Sequence, residues 1–71
     1  MDRAMQLRHL EEARRHVAQG ERHIAEQEER IERLAMHGAD LTGAKKLLEN
    51  FYTTQMLHVR HRERILRELE K

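Results

Sequence analysis

His37-Gly38-Ala39-Asp40-Leu41-Thr42-Gly43 is the one stretch that breaks an otherwise helical pattern, and it lies near the middle of the chain. Gly38 suits the left-handed residue just past a helix end, and Asp40 or Thr42 can accept a bond from the free N–H groups that open the next helix. Asp40 is the favoured cap, because Leu41 then enters the apolar stripe that follows. So short a connection makes the two flanking helices antiparallel neighbours. The expected layout is a single helical-hairpin domain over residues 1–71. Helix 1 runs over about 3–37, the turn over about 38–42 and helix 2 over about 41–70.

Upstream of the turn, Leu10, Val17, Ile24 and Ile31 recur every seven residues, with Ala13, Gly20, Gln27 and Leu34 three residues after each. This is the a/d seam of a coiled-coil-like helix, and a strict seven-residue period imposes a gentle left-handed supercoil on the pair. Small or polar residues stand at three of the four d positions. Gly20 costs roughly 1 kcal/mol relative to Ala inside a helix. It is either a tolerated defect or a gap that receives a bulky side chain from the facing helix. Glu11 with Arg15, Glu26 with Arg30 and Glu29 with Arg33 are i,i+4 pairs in the favourable order, the marks of a solvated face.

Downstream, Leu41, Ala44, Leu48, Phe51, Gln55, His58, Arg62, Ile65 and Leu69 form a stripe that is apolar at its ends and polar in its middle. Leu47, Tyr52, Met56, Val59 and Leu66 lie on flanking rows and widen the apolar surface beyond what one hairpin can cover. An all-α antiparallel hairpin that dimerises into a four-helix bundle is therefore expected. Its seam comprises Leu10, Val17, Ile24, Ile31, Leu34, Leu48, Phe51, Ile65 and Leu69. Folding the chain about residue 39 or 40 sets Ile31 near Leu48, Leu10 near Leu69, Ala13 near Ile65, and Gly20 opposite His58 or Val59. Gln27, Gln55, His58 and Arg62 then form a polar layer, in which buried groups must find partners and thereby fix register.

Composition narrows the function classes. The 71 residues include no Pro and no Cys, so long uninterrupted helices are allowed while disulfides and thiolate metal sites are excluded. The charged N-terminal stretch Met1–Arg8 has no apolar run of the kind a signal peptide or membrane span needs. A cytoplasmic location without membrane contact is the expectation. Fourteen Lys and Arg against thirteen Asp and Glu leave a net charge of +1, weak for a strong nucleic-acid binder.

The repeat Arg8-His9-Leu10, Arg15-His16-Val17, Arg22-His23-Ile24 brings three of six histidines into one row. Successive members stand two turns apart, about 10.5 Å. One ion with bonds of about 2.0 Å cannot bridge that gap, so no metal site is expected within this helix. Only histidines from another helix could complete one. His58 and His61, three apart, are a weak pair, and neither Glu-x-x-His nor His-x-x-x-His occurs. No cofactor is expected. His9, His16 and His23 instead form a candidate pH-sensitive row beside the seam. With ordinary imidazole pKa values of about 6.5, six protonations would carry the net charge from +1 to about +7.

Ser is absent, Thr42, Thr53 and Thr54 have no activating neighbours in sequence, and the carboxylates alternate with arginine, so no enzyme is expected. The segment from Leu57 to Arg67 is the basic end of helix 2. Arg60, Arg62, Arg64 and Arg67 are the residues a small nucleic-acid-binding regulator would use, although cations there also complement the helix macrodipole.

The pattern Gly38-x-Asp40-x-Thr42-x-Ala44-x-x-Leu47-Leu48-x-x-Phe51, followed by Gln55, His58 and Arg62, resembles short uncharacterised bacterial helical-hairpin proteins. The resemblance covers the second half of the chain and the Arg-His repeat. It implies a hairpin and transfers no activity. In architecture the chain is also similar to the Rop-type dimer of hairpins, an RNA binder, an analogy of fold alone. The function expected is a structural or protein-interaction module acting as a homodimer and recognising a protein partner through its exposed faces. The alternative is the nucleic-acid regulator.

Overall fold

The computed structural model describes residues 2–71 and consists of two helices, α1 (Arg3–Met36) and α2 (Thr42–Glu70), packed side by side. The hairpin is a thin rod whose Cα atoms span 54 × 14 × 13 Å. No helix among the described residues is long and apolar enough to cross a membrane.

Each helix end has an identifiable cause. The Asp2 carboxylate accepts a bond from the Ala4 N–H at 3.0 Å and caps α1, while the Asp2 carbonyl accepts from the Gln6 N–H at 3.1 Å. At the other end the N–H of Gly38 reaches the Ala35 carbonyl and the N–H of Ala39 reaches back to Leu34, both at 3.1 Å. These paired bonds form a Schellman motif, which needs a left-handed residue just past the helix, and Gly38 supplies it with φ +68°. The Asp40 carboxylate then accepts from the Thr42 N–H at 3.1 Å and from the Thr42 hydroxyl at 2.8 Å. The N-cap position of α2 thus falls to Leu41 rather than to Asp40 or Thr42, and the Asp40 carboxylate, one position ahead, serves the first helical N–H, that of Thr42. Both bonds favour the ionised form, the backbone one most, and hold the carboxyl below its ordinary 3.8.

The seam follows the seven-residue rows. Every a and d residue of α1 from Leu10 to Leu34 is buried or half-buried, as is every residue of the α2 stripe from Leu41 to Leu69. Burial is uneven along the rod. The buried apolar residues are Leu10, Ala13, Val17 and Ile65; Leu10, Ala13 and Ile65 form one cluster, joined by Leu66 and Leu69. That cluster lies far from the turn. Ile24, Ile31, Leu34, Leu48 and Phe51 are only half-covered.

The register departs from expectation at the glycine. Neither His58 nor Val59 stands over Gly20; Gln55 does, because a Cβ on Gly20 would overlap the Gln55 carboxamide. With that slot open, Gln55 Nε2 reaches across to donate to the Val17 carbonyl at 2.9 Å. The gap reading of Gly20 therefore holds, with a different occupant.

Candidate functional site

Three cross-seam contacts decide which rows share a flank. Tyr52 donates its hydroxyl to Glu28 Oε2 at 3.1 Å on one side of the rod. On the other side the rings of His16 and His58 stand 5.2 Å apart, centroid to centroid, and those of His23 and Phe51 stand 5.7 Å apart. The hairpin thus has an apolar flank and an imidazole flank, with the outer face of α2 as a third surface.

On the apolar flank, Tyr52 and Met56 are 46% and 54% exposed and continue along α2 into half-buried Val59 and Leu66. Spacings of four, three and seven keep these four side chains on one face of the helix. Leu7 of α1, 47% exposed, lies on the row that shares this flank, and the next row carries Ala18 and Ala25. Glu11, Glu21, Glu28, Glu32, Glu49 and Glu63 border the strip, against Arg14 and Lys45. The hydrogen bond to Glu28 raises the Tyr52 phenol above its ordinary 10.0.

The imidazole flank gathers residues from both helices. His16, His23, His58, Phe51, Thr54 and Gln55 surround a recess of about 70 Å³. Gln55 Oε1 is buried beside it and has no hydrogen-bond partner. His9 and His61 line a second recess further toward the chain ends, with Arg64 and Glu68. Five of the six histidines therefore lie along one flank. No three His, Asp or Glu side chains converge as a metal-binding group among the described residues.

The anticipated polar layer is dispersed. Gln27 Nε2 donates to the Ala44 carbonyl at 2.9 Å, Gln55 bonds Val17, His58 stands against His16, and Arg62 pairs with Glu63 at 3.0 Å. The two glutamines act separately, each using the spare lone pair of a helix carbonyl opposite. Of the anticipated i,i+4 pairs, Glu29 and Arg33 approach to 4.0 Å.

Arg62 stands apart from the other arginines of the basic end, half-buried at the seam edge. Arg60, Arg64 and Arg67 share the exposed outer face of α2 with Lys46 and Lys71. Between those lysines the same two rows hold Asn50, Thr53 and Leu57, so this face carries no acid. The sequence reading missed Gln6, which is buried and donates to Glu68 Oε2 at 3.1 Å, and Arg3, which donates to the Leu69 carbonyl at 3.4 Å. Gln6 continues the Ala13 and Gly20 row one heptad upstream, and that period was the available signal. No family model matches the chain, and comparison with curated proteins and with solved structures gives no match.

Proposed function

We propose that the protein is a non-enzymatic interaction module that acts as a homodimer, two hairpins pairing through their apolar flanks into an antiparallel four-helix bundle. The observation that carries this reading is surface area. The hairpin exposes 5793 Å². A compact monomer of its 8.6 kDa would expose about 4,700 Å². The excess, about 1,100 Å², is comparable to the roughly 800 Å² that each partner buries in a stable interface. Tyr52 and Met56 supply the bulk for such packing, and Ala18 and Ala25 leave room to receive it. The acidic border repels its own copy, so association strengthens as salt screens it. The imidazole flank remains outward, free for a protein partner.

Sedimentation equilibrium at rising salt tests the reading. The expected result is a dimer that Met56→Glu dissociates and that Leu57→Glu, on the outer face of α2 away from the strip, leaves intact. A monomer at every concentration and salt, or equal loss in both variants, overturns it.

A second reading, a regulator that binds nucleic acid, draws support from the acid-free outer face of α2, where Arg60, Arg64 and Arg67 align with Lys46 and Lys71. Its salt dependence has the opposite sign, because phosphate contacts weaken steeply with salt. Retention of an RNA or DNA pool at low salt that Arg60→Ala/Arg64→Ala abolishes would favour it; no retention removes it.

A further inference from the structure

Histidines spaced two turns apart on one helix cannot share an ion, and chelation requires a ring from elsewhere. The fold supplies one. His58 of α2 faces His16 of α1 across the seam, with ring centroids 5.2 Å apart and planes inclined at 42°.

We propose that His16 and His58 form a two-imidazole site for a divalent transition ion of the zinc, nickel or copper class, bridging the two helices within one chain. Geometry is the first argument. An ion bonded to an imidazole nitrogen at about 2.0–2.1 Å lies about 3.2 Å from the ring centroid, so a tetrahedral angle separates two centroids by about 5.2 Å. The second argument is the surrounding chemistry. The pair opens on the 70 Å³ recess, which has room for water in the remaining coordination positions. Thr54 and Gln55 line the same recess and add polar side chains beside the pair. Borderline-soft ions are the class imidazole prefers, whereas magnesium and calcium require oxygen ligands.

Binding ties α1 to α2 at mid-rod, where the seam is polar, and so stabilises the folded chain by mass action. It also requires neutral imidazoles, so affinity falls on acidification.

The test is thermal melting with added zinc or nickel ions, with chelator reversal, together with the number of ions bound by calorimetry. The full chain is expected to bind one ion per chain and to melt several degrees higher. His16→Ala and His58→Ala should each abolish the shift, while His9→Ala, on the same flank but outside the pair, should retain it. Absence of a shift, an equal shift in the His16→Ala/His58→Ala chain, or half an ion per chain, which would mean a bridge between copies, overturns the proposal. The apolar-flank variant Met56→Glu should still bind the ion, so failure of the dimer and failure of this site are separable.

Discussion

The Gln55 carboxamide lies across Gly20, in the volume that a Cβ on that glycine would fill. Replacing a mid-helix glycine by alanine ordinarily stabilises a helix by about 1 kcal/mol. Here Gly20→Ala must displace Gln55 and with it the bond to Val17, worth about 1 kcal/mol. The expected outcome in urea denaturation is no gain or a net loss, with Gln55→Ala recovering the helix-propensity gain in the double variant. A coupling of about 0.5–3 kcal/mol between the two positions is expected. Strictly additive effects would show that Gln55 does not occupy the slot.

Ile65 is the buried member of the α2 stripe and packs with Leu10 and Ala13. Ile65→Ala should cost about 2–5 kcal/mol, the range for a large aliphatic truncated in a core. Ile24→Ala, at a half-covered position nearer the turn, should cost clearly less. Equal losses in chemical denaturation would contradict the uneven packing of the seam.

The Asp40 carboxyl has its pKa lowered in the folded state by its bonds to Thr42. A depressed acid contributes stability above its unfolded pKa and loses that contribution as pH falls through the folded value. Asp40→Ala should therefore melt below the unaltered chain at neutral pH, with the gap narrowing only below about pH 4. Asp40→Asn, which keeps an acceptor, should retain much of that contribution. A gap that stays constant down to pH 2 would show that the carboxylate does not serve the Thr42 N–H.

The two stripes were legible because apolar spacing reports directly which side of a helix is covered, and the residues from Leu10 to Leu34 and from Leu41 to Leu69 are the covered ones. Gly38 and Asp40 were legible because left-handed backbone and free N–H groups are local problems with few side-chain solutions. Register was not, since it depends on which side chain enters the Gly20 slot, and His58, Val59 and Gln55 all lie within a turn of it. The facing of His16 and His58 depends on that register and was hidden with it. The dispersal of Gln27 and Gln55 was hidden for another reason: both bond to backbone carbonyls, which every helix position carries.

The best-covered cluster joins Leu10 to Ile65, 55 positions apart in the chain, while the local bonds of the Gly38 turn sit where side-chain cover is thinnest. Closing so long a loop in one step costs more chain entropy than closing it progressively from a formed turn. The order of assembly is thus expected to run against the gradient of durability, with contacts near the turn made first and those near the chain ends made last. Lengthening the turn should accordingly slow formation of the hairpin more than it speeds its loss.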